Sequence, residues 1–482
     1  MKLKKFGASL YIAAVTTVLL IPGSLMFLPD RQNKRSENRE LTAFPSWQTE
    51  DGDWNTGFFD QFGNWFSEHF AFRSLMVTAY GDLTREVLST SSEKDVIVGN
   101  EGWLYYTPTV NDITCVRTMS DIDIRHMTKV LQMMQDFATQ HNAKFIFACA
   151  PNKGSIYPQY LPARYLLTEG ENNLDLLHNA LQEAGVEYCD LRSVLRSEAE
   201  KQDQLLYHKL DTHWNNDGAM LGYQALMQSA GLDDHGYGQC SRLEADDWNG
   251  DLWKMLSPDQ ENPDHNAYYA LPDTHKPVGR YRGEDDLTIT MQCENGENSL
   301  LMFRDSFCRA LLPMLSERFA NSVFIRSEHV PIERITREQT DLVIYELVER
   351  NLKDLICAAP MMPAPEVSVE GKAANAPDAT PVLLNTVPDA GYIHFYGTYD
   401  HRLADGNAVY CTVEDSATGE SHTYEAFPCY ESELEGEGEN GFSFYLPAEL
   451  APQNGSLSVL IQRDGLSIQA GSAEFARNQE KG

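Results

Sequence analysis

Two short segments carry side chains whose types and spacing allow acyl transfer. One is Asp211-Thr212-His213-Trp214-Asn215, between a strand-like region and a helix, and the other is Arg304-Asp305-Ser306-Phe307, where an apolar strand gives way to a helix. A serine is a weak nucleophile until an imidazole removes its proton, and a carboxylate must hold that imidazole in the correct tautomer. We therefore predict Ser306 as the nucleophile, His213 as the general base and Asp211 as the residue that orients His213.

Residues near these segments are candidates for the oxyanion hole and for substrate binding. The N–H of Ser306 would lie at a helix start, where the backbone stabilises a developing oxyanion. Asn152, which follows an apolar run, is the candidate second donor, and an ordinary turn residue is the alternative. The candidates for substrate binding have aromatic or cationic side chains and are Tyr105, Lys153, Trp214 and Arg304. Aromatic rings suit the apolar face of a sugar, with core packing as the competing explanation, and a solvated loop lysine is the alternative for Lys153.

Two further groups of residues are consistent with other chemistries, but the sequence supports each of these less strongly. His208, Asp211 and His213 offer metal-ligand atoms, but no clear further ligand accompanies them, so we predict neither a metal nor any other cofactor. Glu346 and Glu349 could form a glycosidase acid pair, but a salt bridge or a role at a helix start explains them more simply.

Composition limits the partners. The chain has 38 Lys and Arg against 71 Asp and Glu, a formal net charge of −33, which repels phosphate backbones and excludes nucleic acid as a partner. The nine cysteines show no CxxC spacing, so neither a zinc site nor a disulfide framework is predicted. A pairing of Cys411 with Cys429 stays open.

Apolar runs alternate with amphipathic segments through the middle of the chain. This alternation predicts an α/β fold with an open, mostly parallel sheet, whose ligands bind beyond the carboxyl ends of the strands. The predicted strands are 95–98, 145–150, 186–189, 300–303, 323–325 and 342–345. One predicted helix begins near Ser120, and three others cover 174–181, 216–230 and 306–319.

Composition also predicts where one domain gives way to the next. We expect an N-terminal extension at 30–93 that packs on the catalytic domain, and a catalytic domain at 94–358. Weak periodicity makes 232–298 an insertion in that domain. The Pro- and Ala-rich stretch 359–379 predicts a linker. Short alternating strands at 380–482 then predict a β-sandwich-like accessory domain, which either packs only or binds an envelope carbohydrate.

The N-terminus has the pattern of a membrane anchor. Lys2, Lys4 and Lys5 precede residues 6–29, which contain no charged side chain and are long enough as a helix to cross a bilayer. The exit from this stretch offers no convincing cleavage site, so we favour an uncleaved signal anchor over a cleaved signal peptide. We predict a cytoplasmic tail and single transmembrane helix at 1–29, with the catalytic domain outside the membrane.

Several motifs together resemble the DHHW and alginate O-acetyltransferase-like group of SGNH hydrolases. The 211–215 segment, followed by Asp217-Gly218-Ala219, is similar to the DHHW signature, and 304–307 is similar to the Gly-Asp-Ser block with Arg in place of Gly. In this group the Asp-x-His element precedes the serine, as it does here. The other similar segments are Glu37-Asn38-Arg39, 68–73, 102–105, 151–153, 156–158 and 346–351.

The resemblance implies an SGNH-type fold and O-acetyl transfer to an envelope or extracellular polysaccharide, through an acetyl-serine. It also implies a membrane-bound O-acyltransferase partner that supplies acetyl groups. Two alternatives are a polysaccharide O-acetyl esterase and a non-catalytic protein that binds envelope glycans.

Overall fold

The computed structural model describes residues 42–48, 53–69, 91–116, 118–165, 170–201, 203–258, 260–369, 373–376, 380–431, 439–463 and 465–477, with 15–17, 76, 80–81 and 84. The α-helices are α1 (Phe58–His69), α2 (Val110–Ile113), α3 (Asp121–Gln140), α4 (Lys153–Ile156), α5 (Asn173–Ala184), α6 (Leu191–Ala199), α7 (Asn216–Ala230), α8 (Asp251–Leu256), α9 (Leu312–Arg318) and α10 (Ile335–Glu338).

The first eleven β-strands are β1 (Val96–Val98), β2 (Leu104–Tyr106), β3 (Lys144–Ala150), β4 (Tyr188–Cys189), β5 (Arg242–Trp248), β6 (Asp264–Tyr269), β7 (His275–Pro277), β8 (Thr288–Cys293), β9 (Ser299–Phe303), β10 (Asn321–Ile325) and β11 (Leu342–Val348). The C-terminal strands are β12 (Ala374–Asn375), β13 (Leu383–Asp389), β14 (Tyr392–Thr398), β15 (Ala408–Asp415), β16 (Ser421–Ala426), β17 (Gly441–Pro447), β18 (Asn454–Arg463) and β19 (Leu466–Ala476). Among the 3-10 helices are Phe307–Ala310 and Glu349–Ile356.

A seven-stranded sheet with the order β4-β3-β11-β9-β10-β8-β7 forms the centre of the α/β region. The five strands from β4 to β10 run parallel, and β8 and β7 pair antiparallel at one edge. The carboxyl ends of β3, β11 and β9 therefore lie side by side. This arrangement confirms the predicted α/β fold and its mostly parallel sheet.

Strand β9 shows why apolar runs form this sheet. Leu300 and Met302 belong to one buried cluster, and Leu301 and Phe303 belong to another. Successive side chains of a strand point to opposite faces, so a strand covered on both faces must be apolar at every position. The same burial on both faces holds along β3 and β11, with Glu346 as a buried polar residue in β11.

The predicted helix at 306–319 differs from the structure, while the insertion at 232–298 stays a prediction. Residues 232–298 are not separate from the fold, because β7 and β8 extend the central sheet while β5 and β6 form a hairpin. The segment after Ser306 is a 3-10 helix followed by α9, since Pro313 in the first turn of α9 lacks the N–H needed to continue a preceding helix.

The C-terminal region is β-rich, as predicted. A five-stranded sheet (β12-β19-β18-β15-β16) and a three-stranded sheet (β13-β14-β17) contribute to one buried cluster. The segment predicted as a linker packs against the protein where it is described: Met362 is fully buried, and the Ala364 N–H donates to the Tyr445 carbonyl at 2.9 Å. The described part of this segment is therefore not a free tether. All nine cysteines are free, Cys411 and Cys429 included.

Most of the predicted membrane anchor lies outside the described residues, since 15–17 are the only part of 1–29 that is described. No helix in the described ranges is both long and apolar enough to cross a membrane. The packing of 30–93 on the catalytic domain remains a prediction.

Candidate active site

The 211–215 segment enters the site through a short hairpin-like turn. Tyr207 and Trp214 form an isolated bridge, and the Asn215 N–H donates to the Leu206 carbonyl at 3.0 Å. The Asn215 side chain then accepts the Gly218 N–H at 3.0 Å and caps α7. Gly218 is required there, because an added Cβ would lie 2.2 Å from the Leu206 carbonyl oxygen. This turn fixes the backbone that carries Asp211 and His213.

Ser306, His213 and Asp211 lie in one hydrogen-bonded line. His213 Nε2 is 2.8 Å from Ser306 Oγ, and His213 Nδ1 is 2.7 Å from Asp211 Oδ1. The Trp214 indole N–H donates to the Phe307 carbonyl at 3.0 Å, which ties the two segments together beside the pair. Ser306 follows the carboxyl end of β9 after Arg304 and Asp305, and it is partly exposed. The structure thus brings together the three residues that were predicted to act together.

Asp211 is 3% exposed, and hydrogen bonds satisfy both of its oxygens. Oδ1 accepts the His213 N–H at 2.9 Å as well as Nδ1, while Oδ2 accepts Trp248 Nε1 and the Asp251 N–H, each at 2.9 Å. Burial raises the pKa of Asp211, but hydrogen bonding to His213 and the charges of His213 and His208 outweigh it and hold that pKa well below its ordinary value. Asp211 is therefore a carboxylate that can orient an imidazole.

Lys153 stabilises the same turn through hydrogen bonds to its backbone carbonyls. Its Nζ donates to the carbonyls of His208, Lys209 and Asp211 at 3.1, 2.9 and 2.6 Å. An ammonium has three N–H donors, so these contacts use all of them. Lys153 was predicted to contact substrate, but the structure buries it and gives it a role in holding the chain.

The Ser306 side of the site is held by the neighbouring strand β11. The Asp305 carboxylate accepts the N–H groups of Phe307 at 2.8 Å and Val348 at 2.7 Å, and the Asp305 N–H donates to Glu346 Oε2 at 3.1 Å. Burial and the adjacent Asp305 charge raise the pKa of Glu346 well above its ordinary value. Glu346 is thus a structural carboxyl group behind the serine.

The Ser306 N–H has no hydrogen-bond acceptor within the described part of the chain. It is available to a developing oxyanion, as predicted for a serine at this position. Asn152, the candidate second donor, is buried, and its Nδ2 donates to Asp112 Oδ2 at 3.1 Å. Its backbone N–H donates to Glu349 at 2.8 Å. Asn152 anchors the end of β3 on these carboxyl groups, which uses its backbone N–H and one of the two N–H groups of its side-chain amide. Its role as the second oxyanion donor stays a prediction.

The other predicted substrate contacts are also buried. The Tyr105 hydroxyl donates to the Tyr157 carbonyl at 2.5 Å, and Trp214 packs with its ring edge toward Phe307. Arg304 donates to the carbonyls of Glu284 and Asp286 at 2.7 and 2.8 Å, so it fastens the segment before β8 to the end of β9. Tyr105, Trp214 and Arg304 are 5% exposed or less. These side chains position the site and do not form its surface.

Sequence reasoning missed three side chains at the site. Trp248 and Asp251 lie in 232–298, the segment predicted as an insertion because of its weak periodicity. The one sequence signal near them is Asp251 itself, which begins α8. Arg350 follows β11 and lies with its Cζ 5.5 Å from the centre of the Phe307 ring, which is itself 4.8 Å from the His213 ring. A cation beside a buried aromatic ring has no periodic signature that a sequence could show.

Within the described ranges, two groups of side chains could offer ligands to a metal ion. The first is Asp211, His213 and Asp251, and the second is Asp273, His275 and Glu317. His213 already uses both ring nitrogens in hydrogen bonds, and Glu317 accepts the N–H groups of Thr274 and His275 together with His275 Nδ1. Hydrogen bonds within the protein explain both groups, so we assign no metal to either.

Comparison with known proteins identifies the α/β region. Residues 96–286, less than half of the chain, match the family described as the SGNH hydrolase-like domain of the acetyltransferase AlgX. The match includes Asp211 and His213 and ends before Ser306. It confirms the resemblance predicted from the sequence. No curated protein shows significant similarity to the chain.

Several solved structures show a low similarity to the chain. Bacillus cereus PatB1 is 19% identical with a TM-score of 0.40 and 53% of this chain and 96% of that chain covered. A DHHW family protein from Eubacterium siraeum is 12% identical with a TM-score of 0.41 and coverages of 55% and 99%. The O-acetyltransferase domain of Pseudomonas putida AlgJ is 18% identical with a TM-score of 0.36 and coverages of 54% and 92%. Similarity at this level does not by itself support a shared function.

The buried Lys153 makes a testable contribution to stability. Burial lowers its pKa from 10.5 to about 8, so between these values the unfolded chain holds a proton that the folded chain has released. Stability from this group therefore rises as pH rises through the window, by up to about 3 kcal/mol. The difference in free energy of unfolding between wild type and Lys153→Met should grow in favour of wild type by that amount.

Urea unfolding at about pH 7.5, 9 and 10.5 measures this difference. The matched control is Lys276→Met in β7, where the lysine is exposed and the difference from wild type should stay constant. A Lys153→Met difference that does not change with pH would contradict the assignment of Lys153 as a buried, proton-releasing lysine.

Proposed function

We propose that this chain, whose residues 96–286 match an SGNH hydrolase-like acetyltransferase domain, is a serine-dependent polysaccharide O-acetyltransferase. The observation that carries the proposal is the line of hydrogen bonds from Asp211 through His213 to Ser306, with 2.8 Å between the imidazole and the serine oxygen. Heavy-atom distances of this length allow direct proton transfer. The family description supplies the acetyl group as the unit transferred.

The geometry supports a two-step reaction. In the first step His213 Nε2 takes the Ser306 proton while Oγ attacks the acetyl carbonyl, and the Ser306 N–H stabilises the oxyanion. The imidazolium returns the proton to the leaving group as the ester of Ser306 forms. In the second step His213 takes the proton of an acceptor hydroxyl, which attacks the acetyl-serine, and Ser306 regains its proton as the new ester leaves.

Asp211 supports both steps without itself becoming protonated. Its Oδ1 accepts the Nδ1–H, which leaves the lone pair of Nε2 directed at Ser306. The same carboxylate stabilises the imidazolium that forms in each step. The acceptor is proposed to be a polysaccharide because the sequence motifs resemble the alginate O-acetyltransferase-like group and residues 96–286 match the acetyltransferase AlgX domain.

We also propose the anchored topology expected from the sequence, with residues 6–29 in the membrane, the catalytic domain outside it and a membrane-bound O-acyltransferase as the source of acetyl groups. The support is the charge-free stretch 6–29 behind Lys2, Lys4 and Lys5. The full chain should resist extraction by sodium carbonate, and external protease should digest its C-terminal region in intact cells after outer layers are removed. Release by carbonate, or protection from protease, would overturn this topology.

The acetyl-serine is the first prediction of the proposed function. Incubation of the full chain with 4-nitrophenyl acetate should add one acetyl group at Ser306, because that oxygen is the one next to a general base. Intact-protein and peptide mass spectrometry measure the addition. Ser306→Ala should remain unmodified, whereas Ser327→Ala, which removes an exposed serine whose hydroxyl donates to the His329 carbonyl, should be acetylated like wild type. Equal acetylation of Ser306→Ala would contradict the assignment.

The second half of the reaction separates transfer from hydrolysis. After loading, a deacetylated polysaccharide is added and the acetyl group is followed by isotope label. A transferase moves the label to the glycan faster than to water. Release of labelled acetate at the same rate with and without glycan would identify an O-acetyl esterase. A protein that binds glycan without ever acquiring the label would be the non-catalytic alternative.

A further inference from the structure

Asp251 places a second carboxylate beside the His213 imidazole. Its Oδ2 lies 3.6 Å from His213 Nδ1, on the same side as Asp211 Oδ1 at 2.7 Å. Thr212 lies between them: its Oγ1 is 3.1 Å from His213 Nδ1 and donates to Asp251 Oδ2 at 2.6 Å. A hydroxyl has one proton, so donation to Asp251 leaves an oxygen lone pair facing the imidazole N–H.

Backbone N–H groups of each segment also donate to carboxylates of the other. The Asp251 N–H donates to Asp211 Oδ2 at 2.9 Å, and the Thr212 N–H donates back to Asp251 Oδ1 at 2.8 Å. Trp248 adds its indole N–H to Asp211 Oδ2 at 2.9 Å. Gly250 permits the approach, because a Cβ at that position would lie 2.2 Å from the Leu210 carbonyl oxygen. The start of α8 therefore packs directly on the turn that carries His213.

We infer that Asp251 is a positioning residue for His213: acting through the Thr212 hydroxyl, its carboxylate holds the Nδ1–H tautomer and stabilises the imidazolium as it forms. This inference rests on the proposed function, because it assigns the imidazole the role of general base. The two carboxylates have different roles. Asp211 makes the direct hydrogen bond, while Asp251 supplies a further negative charge one hydroxyl away.

Other charged groups near His213 do not duplicate this role. Lys153 Nζ is directed at backbone carbonyls, the Asp264 carboxylate accepts the Leu210 N–H at 2.7 Å, and Arg350 lies across the Phe307 ring. Burial lowers the pKa of His208 to about 4, so this ring is neutral at physiological pH. Within the described residues, Asp211 and Asp251 are the carboxylates that lie next to His213 Nδ1.

The test is the pH dependence of acetyl-Ser306 formation in the full chain with 4-nitrophenyl acetate, from about pH 5 to about pH 9. Asp251→Asn keeps the size of the side chain and both backbone hydrogen bonds but removes the charge. The plateau rate should fall about tenfold, and the acid limb should move to lower pH by roughly 0.5 to 1 unit, because loss of a neighbouring negative charge disfavours the imidazolium. The control is Asp246→Asn, which removes an exposed charge from β5. Its plateau rate and its acid limb should match those of wild type.

Thr212 provides an independent pair of variants. Thr212→Val removes the bridging hydroxyl and should also lower the plateau, whereas Thr212→Ser restores the hydroxyl and should restore the rate. An Asp251→Asn profile that is lower but not shifted in pH would overturn the inference, since a purely structural defect lowers the plateau alone. Thr212→Val as active as wild type would overturn it as well. If wild type forms no acetyl-Ser306, the proposed function itself fails, and that result is distinct from an unshifted Asp251→Asn profile.

Discussion

The buried carboxylate of Asp211 is the constraint on which the site depends. Four hydrogen bonds reach it, two from His213 and one each from Trp248 and Asp251. A charged group removed from water is strongly destabilising unless such partners surround it, so these four hydrogen bonds stabilise Asp211 as a buried carboxylate. Those partners come from two stretches of chain that are distant in sequence. Formation of the catalytic turn is therefore coupled to folding of the segment around 242–264.

A second set of buried carboxyl groups fixes the serine in the same way. Asp305 joins the end of β9 to the end of β11, and Glu349 joins the end of β11 to Asn152 after β3. The carboxyl ends of three adjacent strands are thus fastened by side chains, and Ser306 extends from a rigid edge. Reacting groups held on rigid elements with locked neighbours keep the separations that proton transfer requires.

Local patterns predicted much of this structure, and long-range pairing explains what they missed. The alternation of apolar runs with amphipathic segments was sufficient to predict β3, β9 and β11, because that signal lies within a few residues. The Asp-x-His spacing pointed to Asp211 and His213, but the pairing with Ser306, 93 residues along the chain, came from the resemblance to the family. The strands within 232–298 were missed because β8 joins the sheet through β10, which lies outside this segment, and β7 joins it only through β8. Lys153 was predicted to contact substrate and Asn152 to donate to the oxyanion, since no local signal shows that backbone carbonyls and carboxyl groups from other elements surround them.

The central claim is that Ser306 is activated by the His213–Asp211 pair. Modification by an arylsulfonyl fluoride tests it most directly, because this reagent needs an activated oxygen nucleophile but no glycan acceptor. The account predicts one adduct, on Ser306, with a rate that falls at least about a thousandfold in His213→Ala and steeply in Asp211→Asn. Labelling of another residue, or equal rates in all three proteins, would contradict it.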